Sequence, residues 1–306
     1  MSIEKYNVCQ ICGENDPPEN HYWKNHQISQ KNYFEKFFPK KDLYDKSPIV
    51  FKTPEQYELT DFNIKTNLKK YLESKSKKEG LDYLKIWLLK RKKNKNLIYA
   101  PGEFECKSLC FPSIKFFNEY YGINFYENLC KEIELKLRYN YNQELQIEQN
   151  KELNFIVDTR ENSILDVSNK QIMKLDVGDY TVGNSNIIIE KKSLIDFCGS
   201  LSKNFDRFCR ELERAKNSNK YLIILVEEKF NNIKSLRYLP HTKQIRATSD
   251  FIFHRAREII NKYPLNCQIV CLDGKKKAVK FIETIFSLRN DLQTIDCQYI
   301  IDCNKI

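Results

Sequence analysis

The chain has 306 residues, 41% of them hydrophobic, with Lys+Arg 51 against Asp+Glu 41 and a formal charge of +10. That length and apolar content exclude a disordered chain and leave room for a packed core. No apolar run approaches a membrane span, and the opening MSIEKYNVCQ lacks the apolar core of a secretory signal. The reading is a soluble intracellular protein with no membrane partner, in the cytoplasm or beside a nucleoid or nucleus. Eleven cysteines in such a setting read as reduced thiols plus one metal site rather than disulfides. The basic balance fits a polyanionic partner and plain solubility equally well.

Residues 1–40 carry Cys9, Cys12, His21 and His26 as C-x2-C-x8-H-x4-H. Two thiolates and two imidazoles at such spacing suit tetrahedral zinc. The stretch HYWKNHQISQKNYFEKFF resembles the small zinc-finger modules of phage and mobile-element proteins, with a shorter central gap than usual. A viral or mobile-element origin would follow. Residues 41–140 form a basic, aromatic-rich, mostly helical region, with helical patterns at IKTNLKKYLES and YENLCKEIELKLRY. Within it, Lys90, Arg91, Lys92, Lys93 and Lys95 form a cationic run suited to DNA phosphates or to a solvated helix end. The polar stretch 141–153 reads as a linker.

From residue 154 the texture becomes strand and helix in alternation. FIVD, LDVGDYTVG and NIIIEKK read as strands, the last two joined by a turn at Gly183-Asn184. FDRFCRELERAK reads as a helix, then YLIILVEE as a strand, SDFIFHRAREIINKY as a helix, CQIVCLDG as a strand and KKKAVKFIETIFSL as a helix. The order predicts an α/β domain over 154–288, a central sheet flanked by helices, with 289–306 as a C-terminal tail.

Asp158, Asp179, Glu190 and Lys192 fall at or near strand ends in this segment. Strand parity turns Glu190 and Lys192 to one face and Lys191 to the other. Carboxylates that converge without a cation repel and hold their protons, and a divalent ion with hard oxygen preference, Mg²⁺ or Mn²⁺, relieves this. Taken alone, Asp…Glu-x-Lys is short and common, and charged strand ends account for it as well.

The longer pattern is more specific. V-D-T-R-E at 157–161, G-D-Y at 178–180 and E-K-K-S-L-I-D at 190–196, followed by G-S-L at 199–201 and R-F at 207–208, resemble the XPF-type structure-specific nuclease family. The resemblance implies a restriction-endonuclease-like fold that cuts branched or single/double-strand junction DNA. It implies Asp179 and Glu190 as metal ligands with the Lys191 carbonyl, Asp158 completing the acidic cluster, and Lys192 as catalytic lysine. Arg160 and Asp196 would support the site, and Arg207 would contact DNA, unless it pairs with Glu211 along its helix. Lys191 replaces the family's usual arginine. Residues 289–306 leave no room for the helix-hairpin-helix module that many members carry, which removes the usual basis for the family's dimer and for its junction recognition; a homodimer would have to use the nuclease domain. A DNA-binding scaffold without catalysis is the alternative reading.

Overall fold

The computed structural model describes residues 88–89, 91–93, 97–108, 113–148, 151–183, 185–234, 236 and 245–306. All lie within one compact unit, Lys52–Ile306. The zinc-module residues Cys9, Cys12, His21 and His26, the helical pattern at 64–74, and Lys90 and Lys95 fall outside the described residues.

Six strands form one mixed sheet in the order β2-β1-β3-β4-β5-β6. They are β1 (Phe155–Asp158), β2 (Lys170–Met173), β3 (Tyr180–Val182), β4 (Ile187–Lys192), β5 (Tyr221–Val226) and β6 (Cys267–Cys271). Only β3 runs against its neighbours. The other pairs are parallel, so five strands end at one edge. Nine helices are described: α1 (Glu103–Ser108), α2 (Ile114–Tyr121), α3 (Phe125–Glu132), α4 (Leu194–Ser200), α5 (Phe205–Asn217), α6 (Phe230–Lys234), α7 (Ser249–Lys262), α8 (Lys275–Ser287) and α9 (Cys297–Asp302).

Strand parity divides the core in two. Val157, Tyr180, Ile189 and Ile223 pack on one face with α8, α2, α3 and α9. Ile188, Ile224, Val226 and Ile269 pack on the other with α4, α5 and α7. Covered on both faces, β5 is a continuous buried run, YLIILV, rather than an alternating one. In α5, Phe208, Leu212 and Ala215 recur at helical spacing and bury one stripe, with Asp206 in the first turn and Arg214 and Lys216 in the last.

Several elements differ from the sequence reading. Strand β2 is exposed at all four residues, so no alternation marks it, and pairing with β1 alone forms it. The helix expected over 126–139 stops at Glu132. There Glu134 takes φ 56° and the Leu135 N–H donates to the Cys130 carbonyl at 2.9 Å, a left-handed termination. Beyond it Leu135, Tyr139 and Tyr141 are buried at every second residue or a multiple of it, the period of extended chain. No boundary between compact units falls at 141–153. Past α8, the tail seals the outer edge of β6. Gln268 Nε2 donates to the Ile295 carbonyl at 3.1 Å, and the Cys271 N–H donates to Gln298 Oε1 at 2.8 Å. An edge strand is thereby closed by side-chain amides.

Arg91, expected on DNA, is instead in the core. Its side chain is 3% exposed and its Nη2 lies 2.8 Å from Glu105 Oε1. Glu105 also pairs with Arg138 and accepts from the Gly102 N–H. Burial pushes the Glu105 carboxyl up, but Arg138 and Arg91 outweigh it and the net shift is downward. Lys92 pairs with Glu134 at 2.5 Å, while Lys93 is exposed. A buried carboxylate held between two guanidinium groups leaves both uncompensated when removed. Glu105→Ala is therefore expected to lower unfolding free energy by about 3–5 kcal/mol in urea titration. A loss below about 1 kcal/mol would mean that water already compensates the two arginines.

Candidate active site

The edge where five strands end gathers the string V-D-T-R-E closing and leaving β1, G-D-Y entering β3 and E-K-K closing β4. Asp179 is fixed to β4 twice. Its N–H donates to the Ile189 carbonyl at 2.8 Å, and its Oδ2 accepts from the Lys191 N–H at 2.7 Å. Gly178 makes this approach feasible: its φ is +73°, and an added Cβ would meet Ile188 Cγ2 at 2.1 Å and the Ile189 carbonyl at 3.2 Å. A side chain here would be strained in its backbone and blocked by β4.

On β4, Glu190 and Lys192 face the α5 side, as parity requires. Lys192 Nζ donates to Glu190 Oε1 at 2.7 Å and lies 4.8 Å from the Phe208 ring centroid. Each of the two residues is only 8% exposed. Glu211, one turn along α5 from Phe208, shares a side-chain hydrogen bond with Glu190. Burial, then the Glu190 charge, pushes the Glu211 carboxyl up to about 7. Burial, then Glu190, pushes Asp179 up to about 8, against the opposing Lys191 N–H bond. Protons are retained here because one lysine cannot neutralise so many carboxylates in a desolvated site.

Lys191 points to the opposite face. Its Nζ lies 3.4 Å from Glu161 Oε1 and 3.5 Å from Glu227 Oε2, and all three side chains are largely buried. This ion triplet braces the strand that carries Glu190 and Lys192. Arginine's bidentate geometry is lost, but charge is retained.

Asp158 occupies a different position from the one expected of a metal ligand. Its Oδ1 accepts from the Arg160 N–H and Nε, both at 2.7 Å, and its Oδ2 accepts from Arg160 Nη2 at 3.0 Å and from the Leu175 N–H at 2.6 Å. Four donors fill its lone-pair directions. The Arg160 bond, first among these causes, holds its carboxyl down to about 2. Asp158 thus anchors Arg160 and the chain that returns to Gly178. Asp196 is exposed in the first turn of α4, where Ser193 caps its N–H at 3.1 Å and donates to its Oδ2 at 2.6 Å. Arg207 is exposed on α5, and Glu211 turns to Glu190.

The structure therefore brings together Asp179, Glu190 and Lys192 of the expected set, and adds Glu211 with the Glu161–Lys191–Glu227 brace. Glu161 was visible within V-D-T-R-E, Glu211 at helical spacing from Arg207, and Glu227 in the strand run YLIILVEE, whose Val226-Glu227 end is also similar to the XPF-type family. Among the described residues, no group of three or more His, Cys, Asp and Glu side chains is placed to hold a metal ion. What this edge offers a cation is two hard carboxylates and a main-chain carbonyl, oxygen donors of the kind Mg²⁺ accepts. Among the described residues, no helix is long and apolar enough to cross a membrane.

The retained protons have a consequence for stability. Asp179, raised above the unfolded carboxylate value of about 4, stabilises the fold fully below that pH. Its contribution is lost as pH rises to about 8. Metal-free protein is thus expected to melt at progressively lower temperature from pH 5 to 8, about the interval between those two values. Asp179→Asn should flatten that slope in thermal melts followed by circular dichroism. An unchanged slope in the variant would assign the protons elsewhere.

Comparison with known proteins identifies the segment that builds this edge. Residues 150–285 match the family description of the ERCC4 domain. A structure of XPF from Aeropyrum pernix matches at 23% identity over 43% of this chain and 63% of that chain, with a TM-score of 0.32. The same protein in complex with DNA matches at 22% identity over 43% of this chain and 62% of that one, also at 0.32. The chain spans less than two thirds of the length of either structure. No curated protein matches it. The segment that matches the ERCC4 domain, residues 150–285, is the one that carries all six strands and the acidic edge.

Proposed function

We propose that this domain is a metal-dependent DNA endonuclease that hydrolyses phosphodiester bonds at branched or single/double-strand junction DNA. The observation that carries the reading is the Lys192–Glu190 contact of 2.7 Å, buried beside an Asp179 that β4 holds at two points. The ERCC4-domain match of residues 150–285 supports it.

Asp179 and Glu190, with the Lys191 carbonyl between them, would hold Mg²⁺ or Mn²⁺. When bound, such an ion lowers the pKa of a water and polarises a phosphoryl oxygen. The chain's own residues supply the rest. The Lys192 ammonium, kept in place by Glu190 and the Phe208 ring, stabilises the negative charge that accumulates on the attacked phosphate. Glu211 orients Glu190 through their shared hydrogen bond and accepts or returns a proton near neutral pH. Arg160, its side chain 62% exposed and anchored on Asp158, would meet a phosphate. Hydrolysis adds water across one P–O bond, leaving a phosphate on one fragment and a hydroxyl on the other.

The test is cleavage of flap, fork, duplex and single-stranded DNA in Mg²⁺ or Mn²⁺. Lys192→Ala should reduce the rate at least about 10²-fold, the usual cost of losing one preorganised electrostatic group. Equal cutting by wild type and variant would displace the site. Metal-supplemented wild type that binds DNA without cutting it would favour the scaffold reading.

A further inference from the structure

Helix α8 opens with Lys275, Lys276 and Lys277, all exposed. Its first turn holds no acidic residue, and its N-cap, Gly274, offers no side-chain acceptor. Cations at the positive end of a helix dipole repel the helix's own amide groups and one another. Two helices of comparable length on the other face of the sheet obey the opposite rule: α5 begins with Asp206 and ends with Arg214 and Lys216, and α7 begins with Asp250 and ends with Lys262. Three consecutive exposed lysines set against that rule mark a surface shaped by something other than folding.

The position of these lysines indicates what that is. Lys275 Nζ donates to Ser163 Oγ at 2.8 Å, two residues beyond Glu161 of the Lys191 brace. The basic start of α8 therefore lies against the loop that leaves the catalytic edge, on the sheet face opposite α5. On the α5 face, Arg207 and Arg210 are exposed in the helix whose Glu211 bonds Glu190. Exposed Lys174 follows β2 directly and precedes Leu175, whose N–H holds Asp158. Cations thus flank a buried acidic edge on both faces of the sheet.

We propose that Lys275, Lys276 and Lys277 form a phosphate-binding rim that seats the DNA backbone beside the active edge. This rests on the nuclease reading of that edge. The contact is with the sugar-phosphate chain and not the bases, because ammonium groups act as point charges without bidentate geometry. Binding through the rim is therefore indifferent to sequence and strongly dependent on salt.

The experiment uses the full chain in EDTA, so that DNA is bound and not cut. Fluorescence anisotropy with labelled duplex and forked DNA compares wild type, the triple variant Lys275→Glu/Lys276→Glu/Lys277→Glu, and a charge-matched variant, Lys131→Glu/Lys136→Glu/Lys216→Glu, at exposed positions elsewhere. The rim variant should bind at least about tenfold more weakly than the charge-matched one. Its slope of log affinity against log salt should fall by about 2–3, near 0.9 for each phosphate that the rim no longer neutralises. It should also melt at a higher temperature than wild type, since acids now occupy the helix N-terminus. Equal affinity and slope in the two variants would overturn the rim and leave the nuclease reading standing. Wild type that fails to bind either DNA would overturn both.

Discussion

The Asp179 main chain donates to the Ile189 carbonyl while its side chain accepts from the Lys191 N–H, so one residue grips β4 on either side of Glu190. The remaining geometry of the edge follows from that grip. It sets the distance between two acids on different strands, and it requires Gly178, because no Cβ fits between β3 and Ile188. It also makes the site independent of flexible side-chain placement, since a backbone ladder positions the carboxylate.

That geometry carries an electrostatic cost. Asp179, Glu190 and Glu211 are drawn together where water is scarce, and two of them respond by holding protons towards neutral pH. Carboxylates crowded into a desolvated site, where they must hold protons, are not arranged for stability. The stability comes from elsewhere. Two apolar layers clamp the sheet, and Glu105 joins Arg91 and Arg138 beneath the helices that precede it. The Lys191 triplet with Glu161 and Glu227 links the two requirements, since it neutralises charge on one face while holding β4 straight for the other.

What could be read from the sequence divides along physical lines. The orientation of Glu190 and Lys192 depends only on strand parity, and it holds. The strands β4, β5 and β6 and helices α5, α7 and α8 were legible because burial imprints a period or a continuous apolar run. Strand β2 was not, because KQIM is exposed on every residue and is defined by its neighbour. The fate of Asp158 depends on the Leu175 N–H arriving through a long loop, and that of Arg91 on Glu105 and Arg138 arriving from distant segments. Such pairings leave no local signature: a lysine- and arginine-rich run reads as surface until its buried partner is known.

Most exposed to test is the binding of a divalent ion by Asp179 and Glu190 together, with release of the retained protons. Isothermal titration of Mg²⁺ into the protein at pH 7, repeated in buffers of different ionisation enthalpy, measures both quantities at once. One Mg²⁺ per chain with proton release is expected, and loss of both in Asp179→Asn/Glu190→Gln. Binding that survives unchanged in the double variant, or no binding to the wild type, would contradict the assignment of these two carboxylates.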